Sequence, residues 1–154
     1  MKNCFGDEIT GIKQFISPEY GYYDDSGKEI VNWRPEDESV DNDGFDKRNI
    51  EPNGHYYQDI VLPYGKLICR YGNYRGRLTT DIDSKYEDLA LPYVKETVEY
   101  HSYKVVADGL KVQCTVLKGR VAPIFNSSGG AVQYKHYQSV AKEIEHGKLE
   151  EVFL

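Results

Sequence analysis

The chain has 154 residues, 40% of them hydrophobic and 29% charged, a balance that suits one folded domain with a real core and excludes wholesale disorder. Its net charge of −6 repels polyanions, so nucleic-acid binding is not expected. No apolar run reaches membrane-spanning length, and MKNCFGDEIT at the start lacks the apolar core of a signal peptide.

Residues 1–55 read as an acidic, loop-rich N-terminal segment, with 56–154 as the core of a single domain overall. The charge is uneven: residues 1–60 carry 14 acidic and 6 basic side chains, and 61–154 carry 11 and 13. The basic excess of the second part leaves room for a small-anion site. SPEYGYYDDSGKEIVNW has the pattern of a hairpin turning at Asp25-Ser26-Gly27. In the acidic loop that follows, Ser39 and Ile50 stand where a calcium loop needs carboxylates, so calcium is not expected. YYQDIVLP and KLICRYG predict strands closed by Pro63 and Gly72. YHSYKVV predicts another, joined through Asp108-Gly109 to LKVQCTVL as a hairpin, and RVAPIF a short strand beyond Gly119. YQSVAKEIEHG predicts a helix with Tyr137, Val140, Ala141 and Ile144 on one face and Gly147 at its C′ position, and LEEVF a closing strand or tail. Strands outnumber helices and suit antiparallel pairing. The expected class is therefore α+β, a single compact domain of mostly antiparallel, twisted β-sheet with few helices.

Cys4, Cys69 and Cys114 are odd in number and far apart, and His55, His101, His136 and His146 show no paired spacing, so neither disulfides nor a bound metal is expected. Three stretches carry chemistry. NSSGGAVQYKH sets two glycines before Gln133, which suits either a strand-to-helix turn or a backbone that approaches a ligand closely. ICRYGNYRGR gathers Arg70, Arg75 and Arg77 around two glycines, a composition that fits either a phosphate site or a solvated turn. His101 lies in a strand between Tyr100 and Tyr103, as a structural histidine or one that orients a hydroxyl. No P-loop, dinucleotide glycine fingerprint or nucleophile elbow occurs.

Six stretches in order, NWRPEDESVDNDGF, CRYG, LALP, YHSYKV, VAPIFNSSGGAVQY and HGKLEEVF, resemble the tuberculosis necrotizing toxin (TNT) domain family of NAD+ glycohydrolases from about Trp33 to Phe153. The resemblance implies hydrolysis of the nicotinamide–ribose bond of NAD+, or of NADP+, as substrate and without a cofactor. It places His101 and Gln133 on the family's activity-bearing positions and Arg70 on the arginine of its DRxG strand, where Cys69 replaces the usual aspartate. Tyr71, Arg77, Gly129 and Gly130 join Arg70 as substrate-binding candidates. On this reading the Arg70 bend, the His101 strand and the Gly129-Gly130 loop converge on one pocket, with Arg70 on the pyrophosphate, His101 on ribose or phosphate and Gln133 orienting ribose or water. The pattern departs at Leu78 and Leu89, where the family often has an aromatic residue and an arginine, and no glutamate is singled out. The resemblance further implies a secreted effector domain acting in a target cell's cytosol and an immunity protein as partner. Two other readings are a catalytically weakened nucleotide-binding or interaction module and an ADP-ribosyltransferase.

Overall fold

The computed structural model describes residues 13–32 and 37–154; Cys4 and the Trp33 and Pro35 with which the resemblance begins lie outside them. Nine strands and one α-helix are present among the described residues, and every strand pairing is antiparallel. β1 (Gly21–Tyr23) and β2 (Glu29–Val31) form the expected hairpin, its turn held by Asp24 Oδ1, which accepts from the Ser26 and Lys28 amides at 2.9 and 2.8 Å. The other seven strands are β3 (Tyr57–Leu62), β4 (Leu67–Tyr71), β5 (Leu78–Asp81), β6 (Tyr100–Val105), β7 (Cys114–Arg120), β8 (Val132–His136) and β9 (Leu149–Val152). They form one sheet in the order β3-β7-β8-β5-β4-β6-β9.

Side chains alternate across a strand, so register sorts the sheet into two faces. On one face Leu62, Ile68, Tyr103, Val105, Cys114, Val116, Tyr134 and Leu149 make the main core with Val140 of α1 (Val140–Glu145). Ser139 caps this helix by accepting from the Lys142 amide, and Gly147 at φ +75° ends it, with the Lys148 amide donating to Glu143 O. Of the predicted inner face, Val140 and Ile144 pack on the core, while Ala141 and Tyr137 are exposed and Glu143 is buried in their stead.

The other face carries a smaller core of Ala90, Val121, Ile124 and Phe125, against which Tyr20 and Val31 pack. Phe15 bridges to Tyr93, and Phe45 to Val121, binding the N-terminal segment onto this face.

Three expectations change. The Asp108-Gly109 hairpin does not form: β6 is occupied on both sides by β4 and β9, and the chain crosses to pair β7 with β3 and β8. Asp108 Oδ1 instead accepts from the Leu110 and Lys111 amides, and Leu110 is 86% exposed. Gly119 lies inside β7 rather than before a new strand, and Phe45 sits where its side chain would be. Gln133 belongs to the strand β8 rather than to a loop.

A Cβ at Gly119 would stand 2.6 Å from the Phe45 ring and 2.8 Å from Tyr56 O. Gly119→Ala is therefore expected to lower stability by about 1–3 kcal/mol, read by urea denaturation; unchanged stability would show that Phe45 is not seated against β7.

Candidate active site

The face of the sheet opposite α1 holds a cleft of two adjoining cavities, partly open to solvent. Leu78, Leu89, Leu91, Val121 and Gln133 line both; Tyr71 and Thr80 wall the first, and Glu29, Asp43 and Gly44 the second. The register explains the floor: Gln133 pairs with Thr80, Thr80 with Cys69 and Cys69 with Ser102, placing all four side chains on this face.

Gln133 is 7% exposed, and its Nε2 donates to Asp43 O at 3.0 Å. Its carbonyl oxygen takes no hydrogen bond among the described residues and stays available as an acceptor. Tyr71 is flanked by Tyr86 and Tyr100, each with ring centroids 4.9 Å away. Burial raises the Tyr71 pKa, and it carries Tyr100 to about 12 and Tyr86 higher, so all three are neutral phenols at physiological pH. Asp43 pairs with Lys135 at 2.7 Å, and Glu29 accepts from Tyr93 Oη. The cleft is thus largely apolar, with carboxylates at one end and phenols at the other.

The expected convergence of Arg70, His101 and Gln133 does not occur. Arg70 pairs with His101 in the row next to Cys69 and Ser102, and the period of two turns both side chains to the α1 side. Only Arg70's place in β4 brings it to the cleft. Its Nε donates to Asn73 O at 2.7 Å and its Nη1 to Leu78 O at 3.1 Å, while Gly72 and Gly76 make room for the guanidinium. The glycines of RYGNYRGR thus fit the arginine against its own chain, and burial pulls its pKa below the usual guanidinium value. Arg77 is exposed beyond the start of β5, its carbonyl accepting from the His136 amide. His101 places Nε2 2.8 Å from Glu99 and Nδ1 3.1 Å from Glu151, under the Tyr74 ring at 4.3 Å. Both ring nitrogens are engaged: Nδ1 fastens the edge strand β9 through Glu151, and Nε2 bonds locally to Glu99.

The double glycine also faces its own chain. A Cβ at Gly129 would lie 2.6 Å from Ala122 C and Val121 O, whereas one at Gly130 would meet nothing. Ser128 Oγ donates to Asp88 Oδ1 at 3.2 Å, and Ser127 Oγ donates to Glu87 O. These residues clasp the segment that leads to Leu89. Ala90, Phe125 and Asn126 around it are non-glycine residues at positive φ, a conformation held at some cost beside the cleft. Sequence reading missed Leu91, Thr80, Glu29 and Asp43 as cleft residues; the DGF and LALP stretches were the available signal.

A family model described as Tuberculosis necrotizing toxin matches residues 61–152. The chain belongs to the tuberculosis necrotizing toxin family. Among solved structures it is similar to tuberculosis necrotizing toxin complexed with its immunity factor IFT. That match has 18% identity, a TM-score of 0.57, and covers 97% of this chain and 74% of that one. It is also similar to Rhs1-CT in complex with its cognate immunity protein RhsI1, at 17% identity, TM-score 0.44 and coverage of 64% and 78%. A third similarity is to Tse6 in complex with Tsi6, at 19% identity, TM-score 0.43 and coverage of 70% and 87%. No curated protein matches the chain in sequence. Within the TNT fold of this chain, Asp43-Gly44-Phe45, Cys69 to Tyr71, Leu89 to Pro92, Ile124 and Gln133 come together at the cleft floor and walls. Leu78 and Leu89, the two departures from the family pattern, lie there too.

If Gly129 serves its own chain, Gly129→Ala is expected to cost about 1–3 kcal/mol beyond Gly130→Ala, which pays only the backbone strain of about 1 kcal/mol. Thermal unfolding of the two variants measures the difference, and equal losses would contradict this assignment.

Proposed function

We propose that this chain is the toxic domain of a secreted effector that hydrolyses NAD+ or NADP+ in the cytosol of a target cell, and that an immunity protein restrains it in the producing cell. The observation that carries the reading is the gathering of the family's motif segments around a cleft with Gln133 in its floor. The immunity partner is inferred from similar proteins captured with theirs.

The reaction is NAD+ + H2O giving nicotinamide, ADP-ribose and a proton. Nicotinamide leaves neutral, so the demanding step is to stabilise positive charge on the ribose ring and to place water beside C1′. Gln133, with its amide nitrogen spent on Asp43 O, offers its carbonyl oxygen to a ribose hydroxyl or to the water. Glu29 and Asp43 offer carboxylate oxygens to a cationic nicotinamide ring, each balanced by a lysine, Lys13 at 3.5 Å and Lys135 at 2.7 Å. The phenol of Tyr71 and the leucines enclose an aromatic ring. Arg70 and His101 act from behind the sheet as positioning residues. Arg70 holds the connection that presents Tyr71 and Leu78, and His101 holds the strand beside it. Gly129 and Gly130 shape the clasp over Leu89, and Arg77, at the parity of Thr79, borders neither cavity.

A second reading, dinucleotide binding without efficient turnover, is favoured by the turning away of Arg70 and by Leu78 and Leu89 in the walls. Incubation of the purified protein with NAD+ separates the readings: nicotinamide and free ADP-ribose mean hydrolysis, binding without release means the second reading, and label on protein means ADP-ribosyl transfer. In the first case Gln133→Ala is expected to lower kcat about 100-fold with the fold retained. His101→Ala is expected to lower Tm and cost less in turnover per folded molecule. A Gln133→Ala variant with wild-type turnover would sink the site assignment.

A further inference from the structure

Beneath α1, on the face of the sheet away from the cleft, three metal-binding side chain types from three elements converge. Cys114 begins β7, His136 ends β8 and Glu143 points inward from α1, and their ligand atoms all lie within 4.8 Å of one another. They are 0%, 0% and 1% exposed. A glutamate on the core side of a helix is costly unless something satisfies it. Yet neither carboxylate oxygen of Glu143 nor Nδ1 of His136 makes a hydrogen bond of normal geometry among the described residues; the carboxylate's one backbone neighbour is the Gln138 amide. Nδ1 stands 3.9 Å from Glu143 Oε1, beyond hydrogen-bonding distance. Lys148 Nζ approaches the other oxygen to 3.9 Å from the solvent side, and the Arg70 guanidinium bears on His136 from the sheet.

The second ring nitrogen is accounted for. His136 Nε2 lies 2.8 Å from Thr79 Oγ1. With Nε2–H donated to that hydroxyl, Nδ1 keeps its lone pair toward Cys114 and Glu143, the outer hydrogen bond that orients metal-ligating histidines.

We propose that Cys114 Sγ, His136 Nδ1 and the Glu143 carboxylate bind one divalent transition ion of the zinc class, tying α1 to β7 and β8. A thiolate and a carboxylate cancel the ion's two charges, which leaves the buried cluster neutral. The sulfur, nitrogen and oxygen donors suit zinc or cobalt and not calcium or magnesium. Metal bonds of about 2.0–2.3 Å require the donors to close by about an ångström, a movement within reach of the Glu143 side chain. Without the ion, burial pushes Cys114 up to about 12, holds His136 down at about 4 and raises Glu143. Binding therefore releases the thiol proton as the metal–sulfur bond forms.

The test is titration of the chelator-treated, folded protein with Co2+ alone, then with Zn2+. The expected result is a thiolate-to-cobalt charge-transfer band that saturates at one ion per chain, disappears on adding Zn2+, and is accompanied by a rise in Tm. The band should be lost in Cys114→Ser and kept when Cys4 and Cys69 are both replaced by serine. Thr79→Val should keep the band but weaken zinc binding about 10–100-fold. Absence of a thiolate band in the folded wild-type protein overturns the proposal, whether or not the variants fold. So does a band that survives Cys114→Ser.

Discussion

The organisation of this protein depends on a sheet whose central strands are covered on both faces. A strand buried on both sides cannot slip by one residue without exchanging two unlike sets of side chains. In β4 that exchange would put Arg70 into an apolar cleft and Cys69 among the aliphatic core residues. In β8 it would send Gln133 under α1 and Tyr134 and His136 out of the core. The register therefore fixes the cleft's floor before any loop is placed. The loops then add its walls, with residues 83–98 on one side and the segment around Asp43 and Glu29 on another.

The two faces use polar groups differently. On the α1 side they lock the scaffold. Arg70 ties down the connection between β4 and β5 with bonds to two carbonyls, and His101 joins Glu99, Glu151 and Tyr74 into one fastening of the sheet's edge. Hydrogen bonds to charged groups contribute about 1.5–3 kcal/mol each, so these contacts are large beside the net stability of a small domain. On the cleft side Thr80, Ser102 and Asp43 are also bonded, and Gln133 spends its amide nitrogen on Asp43 O while leaving its carbonyl open. Mutation of a locking residue then resembles loss of a site residue in an activity assay, although it touches nothing in the cleft.

Much of this was legible in the sequence, for identifiable reasons. β3, β4, β6 and β9 show alternation or apolar runs bounded by Pro63, Gly72 and Gly147, and the C-terminal end of α1 follows from Gly147. β5 and β8 were not legible, because LTTD and VQYKH bury Thr79, Thr80, Gln133 and His136, polar side chains whose partners come from distant strands. On α1 Val140 and Ile144 were legible as inward residues, but Glu143 was not, since its burial contradicts an amphipathic pattern. The hairpin at Asp108-Gly109 failed on topology: local turn chemistry specifies a bend, but not whether the neighbouring edge is free.

The resemblance succeeded for segments and failed for side-chain directions, and the difference has a physical origin. Motif order records which stretches of chain meet, and the DGF, CRYG, LALP, APIF and QY stretches do meet around one cleft. Direction depends on the parity of a residue's position in its strand, and adjacent motif residues have opposite parity. Tyr71 rather than Arg70 therefore faces the cleft, and Tyr100 rather than His101 packs against it. Arg70 borders the first cavity but spends its Nε and Nη1 on Asn73 O and Leu78 O, while Glu29 and Asp43, each paired with a lysine, border the second. In the proposed reaction the cleft would thus grip the nicotinamide ribose end and leave the phosphates near solvent. Discrimination between the two dinucleotides, which differ far from that end, would then be weak.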